Sequence, residues 1–182
     1  TVRLYRRVAS GTECCNKEWL ALLAEGQRLF GVSGKVTLRT VPGLNCPAPC
    51  GWWRPAILLP EDAATWSTTE LRHVFWHELA HISRYDVASN WLLAIIRVFH
   101  WWNPLFWYAQ NIWMAERELI CDALVLRFLE GQQSGEYGRT LLRFLERLNY
   151  VGLQTSITPG FVNFLGQKRV VRRRLEQLGR LS

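Results

Sequence analysis

The chain has 182 residues, 49% apolar and 20% charged, which is long enough for one sizeable core and too apolar for a disordered segment. Its net charge of +7 favours an anionic partner, acidic lipid or nucleic acid, although a basic surface also serves solubility alone. Its five cysteines are an odd number without framework spacing, so a secreted disulfide scaffold is excluded and reduced thiols are expected, with Cys14-Cys15 and Cys46–Cys50 as the alternative redox or metal pairs.

The chain opens on Thr1 rather than methionine and carries no signal-like segment, which leads us to expect a piece of a longer protein. Residues Asn16 to Phe30 space Trp19, Leu20, Leu22, Leu23 and Leu29 as an amphipathic helix ending at Gly31. Lys35 to Val41 alternates like a strand, and Pro42 to Pro49 reads as a loop. Ala56-Ile57-Leu58-Leu59 forms a short apolar strand between Pro55 and Pro60; the flanking prolines suggest a sheet edge.

Ser67-Thr68-Thr69-Glu70 is a capping-box pattern, so a helix is expected from here, with Leu71, Val74, Phe75, Leu79 and Ile82 as its apolar stripe. A second helix covers Val87 to Phe99, and Asn103-Pro104 starts a third that runs to about Glu130. Gly131 to Gly135 reads as a loop and Tyr137 to Leu148 as a fourth helix. The apolar run Trp91 to Tyr108 is interrupted by Arg97, His100, Asn103 and Pro104, which suits a buried helix or one lying on a membrane surface better than a membrane span. Lys168 to Arg174 is a basic helix; its arginines spread around most of the circumference, more like a juxtamembrane segment than a groove reader. Ten tryptophans suit a half-buried surface, against a partner or a membrane interface. The expected class is α+β, mostly helical, with a small sheet, in a single domain over residues 1–182.

The chemistry concentrates in His77-Glu78-Leu79-Ala80-His81. Histidines four apart share one helix face and can converge on one zinc ion, with Glu78 placed to reach a water rather than the metal. Alone the motif is a weak signal, because a catalytic zinc needs a third protein ligand. The acidic cluster Glu116, Glu118 and Asp122 is the place to look for it. Glu118 and Asp122 share a face, so one can bind metal while the other accepts a hydrogen bond from the far nitrogen of a ligating histidine. Glu116 points away from Glu118, and at most one of them is a ligand. The competing reading is a solvated acidic face paired with Arg117 and Arg127. Cys121 is a further ligand option, or a small core residue.

The blocks Gly51 to Pro60, His77 to Ile82 with Asp86, Trp101-Trp102-Asn103-Pro104-Leu105 and Glu118-Leu119-Ile120-Cys121-Asp122 occur in an order that resembles the gluzincin peptidase domain of the BlaR/MecR-type sensor-transducers. The resemblance runs from about Gly51 to Leu145 and is looser before that. It implies a zincin-like fold with the H-E-x-x-H helix at its centre, His77, His81 and Glu118 as zinc ligands, Glu78 as the base and Asp122 as the supporting acid. Asp86 matches a family position without a derived role. It also implies a cytoplasmic peptidase domain held at the bacterial cell membrane by flanking helices, which cleaves a transcriptional repressor and often itself. No sensor segment is present in this sequence, so beta-lactam recognition does not follow.

The chemistry expected is zinc-assisted hydrolysis of a protein or peptide substrate, with Glu78 shuttling the proton. Ala56, Ile57, Leu58 and Leu59 are candidates to bind an extended substrate by strand addition. Tyr137, Tyr108 and His73 are candidates to stabilise the oxyanion, with His73 equally readable as a surface residue or as a contact within the helix. The rival function is a catalytically silent zinc module that signals by binding a protein or a membrane surface; an intact Glu78 argues against it. Direct nucleic-acid binding is not expected.

Overall fold

The helix starts follow from their capping side chains. The side-chain oxygen of Asn16 accepts hydrogen bonds from the amides of Glu18 and Trp19, and α1 follows over Lys17–Leu29. Ser67 and Glu70 close a reciprocal capping box, and α2 follows over Thr68–Ser83. The computed structural model describes residues 11–51, 53–129, 132–155 and Arg174; for 132, 145 and 147–155 only the backbone is described. The chain divides into two compact units, Thr1–Ala88 and Ser89–Ser182.

The first unit holds a four-stranded sheet and two helices. The strands are β1 (Thr12–Glu13), β2 (Thr37–Thr40), β3 (Ala48–Cys50) and β4 (Ala56–Leu59), in the order β1-β2-β4-β3. β2 and β4 run parallel, and the outer pairings are antiparallel. β4 therefore lies inside the sheet, not at its edge. Ile57, Leu58 and Leu59 are all buried, as expected of a strand covered on both faces. Pro55 and Pro60 sit outside the ladder, where they remove no hydrogen bond. The proline that marks an edge is Pro49, in β3, within the stretch expected to be a loop.

Strand addition of a substrate at Ala56–Leu59 is thereby ruled out, because both sides of that backbone are already paired. A turn at Gly51 (φ 75°) joins β3 to β4; a Cβ there would lie 2.5 Å from the carbonyl oxygen of Arg54, so the position requires glycine. A short 3-10 turn, Glu61–Thr65, leads into α2. α1 packs on α2: Phe30 meets Trp76 edge-on at 6.3 Å between ring centroids.

α3 (Asp86–Phe99) starts in the first unit and continues into the second. The second unit also contains α4 (Pro104–Phe128) and α5 (Gln132–Thr155). Asn103 caps α4, accepting from the amide of Leu105, with Pro104 at the first helical position. α5 begins inside the expected Gly131–Gly135 loop and extends past the expected Leu148 end. Gly135 lies in its first turn, where a glycine lowers helix propensity without ending a helix.

α3 and the start of α4 form a hairpin. Arg117 Nη1 donates to Asn90 Oδ1 at 2.7 Å, and the Arg97 guanidinium lies 4.2 Å from the centroid of the Trp107 ring. The Trp91–Tyr108 run is therefore not a buried helix: Trp91, Leu92, Ile95, Val98, Phe99 and Trp102 are all exposed. Among the described residues, no helix is long and apolar enough to cross a membrane. The basic helix expected over Lys168 to Arg173 lies outside the described residues.

Candidate metal and catalytic site

α2 carries the whole His77–His81 motif. Its helical spacing sets the His77 and His81 rings 4.9 Å apart between centroids and nearly perpendicular, at 86°. His81 and Glu78 are buried, while His77 is half-buried. One turn earlier, His73 is buried too, which overturns its reading as a surface residue.

After α2 the chain reverses sharply. Tyr85 has a φ of 57°, a left-handed conformation uncommon for a residue with a side chain. That turn returns Asp86 toward α2, where Asp86 Oδ2 lies 2.7 Å from His81 Nδ1, both groups buried. A hydrogen bond at Nδ1 to a carboxylate places the proton of the neutral ring there and the lone pair on Nε2, and it fixes the ring's orientation. Arg84 Nε approaches the same carboxylate oxygen at 3.7 Å. Asp86, the family position without a derived role, thus presents a buried carboxylate to His81 Nδ1.

In the second unit, Glu118 and Asp122 project from one face of α4. Asp122 is buried, and Arg174 binds it side-on: Nε donates to Oδ2 at 2.6 Å and Nη2 to Oδ1 at 2.8 Å. The Tyr137 hydroxyl, on α5, donates to Asp122 Oδ1 at 2.6 Å. Arg174 Nη1 reaches Glu118 Oε2 at 3.4 Å, and Arg117 Nη2 lies 3.6 Å from Glu118 Oε1. Glu116 is exposed, consistent with its pointing away from Glu118.

The electrostatics of this cluster hold a fixed charge pattern. Burial pushes the Tyr137 phenol well above its usual range, and the charge of Asp122 adds to the effect, so the phenol stays neutral. Burial alone works against the Arg174 cation. The hydrogen bond and charge of Asp122, joined by the charge of Glu118, more than offset it and hold Arg174 above its usual range. Arg174 therefore does not belong to an exposed basic face, because its guanidinium is matched to two carboxylates.

The oxyanion candidates fare differently. The Tyr137 hydroxyl donates to Asp122, and Tyr108 is exposed on the hairpin. Of the supporting residues, only Asp86 left a signal in the sequence, and it was not decisive. Asp86 stands five residues after His81, a spacing that becomes a contact only through the left-handed turn at Tyr85. Arg174 stands 52 residues from Asp122, and nothing in local periodicity connects them.

The donor set fits a metal of zinc's chemistry. Side chains able to hold an ion are present in each unit: His77 and His81 in the first, Glu118 in the second. Two imidazoles on one face, one already oriented by a buried carboxylate, are the nitrogen donors a catalytic zinc takes, and a glutamate supplies the oxygen donor.

The comparisons with known proteins point to a peptidase family. The family profile described as BlaR1 peptidase M56 matches residues 1–178. The chain is 35% identical over 129 residues to the regulatory protein BlaR1 of Bacillus licheniformis, covering 71% of this chain and 22% of that protein. It is 25% identical over 109 residues to the methicillin resistance mecR1 proteins of Staphylococcus aureus and Staphylococcus epidermidis, covering 59% of this chain and 19% of each. The chain thus spans about a fifth of the length of these relatives. On this evidence, the chain belongs to the BlaR1 peptidase M56 family.

Proposed function

We propose that the chain is a zinc-dependent endopeptidase domain of the gluzincin type, with a zincin-like active site. His77, His81 and Glu118 are its metal ligands and Glu78 its general base. The observation that carries the reading is the Asp86–His81 pair, whose histidine lies on the helix that also bears Glu78 and His77. A purely structural histidine pair has no need of an adjacent buried glutamate, and a surface helix has no need of a buried carboxylate behind one imidazole.

A zinc ion held by these ligands supplies Lewis acidity to a carbonyl and to a water molecule. The residues of the chain do the rest. Asp86 keeps His81 in one tautomer and one orientation. The Glu78 carboxylate takes a proton from the attacking water and delivers it to the leaving amine. Asp122, Tyr137 and Arg174 brace α4, with Arg174 also limiting the swing of Glu118.

The setting is part of the same proposal. The domain works within a longer signal transducer at the cytoplasmic face of the bacterial cell membrane, held there by flanking helices. Its substrate is a cytoplasmic regulator, a transcriptional repressor as the resemblance to the sensor-transducers implies, with self-cleavage as a second reaction; the relatives' names carry a regulatory and a methicillin-resistance role. Nucleic acid is not its direct partner.

Metal analysis and a cleavage assay on Glu78→Ala test the reading. The wild type carries about one zinc per chain, as a site with three protein ligands and an open position does. Glu78→Ala keeps that zinc but no longer cleaves candidate repressors or a longer version of the same chain. Glu118→Gln loses metal. Cleavage by Glu78→Ala at the wild-type rate would remove the general base. Wild-type protein without zinc would remove the site.

A further inference from the structure

The α3–α4 hairpin leaves an apolar surface that nothing in the peptidase chemistry uses. On α3, Trp91, Leu92, Ile95, Val98 and Phe99 fall at helical spacing on one stripe, and all are exposed. On α4, Leu105, Tyr108 and Ile112 form a second exposed stripe. The turn between them presents Trp101 and Trp102, 68% and 66% exposed. Folded chains do not usually leave a continuous apolar surface of this kind to water; such surfaces mark a docking site.

The composition says what kind of surface covers it. Between Asp86 and Glu116 there is no acidic residue, and the one full charge is Arg97, on a chain of net charge +7. The stretch is rich in tryptophan and includes a tyrosine. These side chains combine an apolar ring with a polar edge and concentrate at the boundary between headgroups and acyl chains. The hairpin's own polar groups are internally braced: Trp107 Nε1 donates to the Trp101 carbonyl at 2.8 Å, and His100 stacks on Phe106 at 5.9 Å. α3 has 14 residues and is about 21 Å long, too short for a hydrocarbon core of roughly 30 Å. The element can lie in an interface but cannot cross one.

We propose that the α3–α4 hairpin is a membrane-docking element that inserts its Trp101–Trp102 tip and outer stripes into the headgroup–acyl boundary of an anionic bilayer. This deepens the membrane setting proposed above by naming the surface that makes the contact. It does not depend on zinc binding or on peptidase activity.

The test uses the purified chain and vesicles of phosphatidylethanolamine with phosphatidylglycerol, compared with vesicles of phosphatidylcholine alone. The chain is expected to float with the anionic vesicles, less with the neutral ones, and to release as salt is raised. The double variant Trp101→Ser, Trp102→Ser should bind about tenfold or more weakly, since two large apolar side chains leave the lipid. Its zinc content and circular dichroism should match the wild type.

A second readout does not depend on that variant folding. Lipids brominated high on the acyl chain should quench wild-type tryptophan fluorescence more than lipids brominated near the chain end, because the insertion is shallow. Three results overturn the proposal: no flotation of the wild type at low salt, equal binding by the folded variant, or wild-type self-association that the variant abolishes without any vesicle binding. The last would make a second copy of the chain the occupant. None of these results bears on the zinc content or on the Glu78-dependent cleavage, which are measured without vesicles.

Discussion

Asp86 shows how a single side chain can be decisive and still unreadable in advance. Its carboxylate sits 2.7 Å from His81 Nδ1 only because Tyr85 adopts a φ of 57°. Removing the charge while keeping the shape isolates its effect. Asp86→Asn should weaken zinc binding about 10–100-fold, measured by competition with a chromophoric chelator, while the fold persists. Unchanged affinity would reduce Asp86 to a packing role. The shared helix face of His77 and His81, by contrast, was legible from spacing, because helical periodicity fixes which side chains lie together.

At the scale of elements, helix caps were reliable guides, whereas glycine breakers and sheet edges were not. Asn16, Ser67 and Asn103-Pro104 mark the helix starts because each capping bond is local. The place of β4 in the sheet was misjudged because pairing is a long-range property. Pro55 and Pro60 border the strand without interrupting its ladder. Two glycines separate local preference from packing. A Cβ at Gly26, in α1, would lie 2.6 Å from Leu79 Cδ1 and 2.9 Å from Trp76 Cδ1 on α2. Gly26→Val should therefore cost about 1–3 kcal/mol through overpacking. Gly135, in α5, has nothing within 4 Å of such a Cβ, and Gly135→Ala should stabilise by about 0.5–1 kcal/mol. Thermal or urea unfolding of both variants checks the contrast. Opposite expectations at two helical glycines leave little room for a generic glycine effect.

At the scale of the whole molecule, distant parts of the chain meet where charge demands it. Arg174 closes a buried cluster with Asp122, Tyr137 and Glu118, joining residues 52 positions apart. Removing one partner of such a pair strands the other in a low-dielectric setting. Arg174→Ala should lower stability by about 3–5 kcal/mol, read from urea unfolding of the metal-free protein. A loss within the error of the measurement would show that water replaces the guanidinium. The same scale explains the hairpin: its apolar content was plain in the sequence, but whether the run was buried or exposed depended on what packs against it.

The sequence alone determined the capped helix starts at Asn16, Ser67 and Asn103, the α+β class, the shared face of His77 and His81 with Glu78 beside them, and, through ordered motif blocks, the family. These rest on short-range geometry and residue chemistry, which travel with the sequence. Only the tertiary structure decided that Asp86 supports His81, that Asp122 is held by Tyr137 and Arg174, that β4 is interior, and that the Trp91–Tyr108 run faces outward. Each of these depends on which surfaces meet, and that is settled by folding as a whole, where burial and charge pairing act between residues that local spacing does not connect.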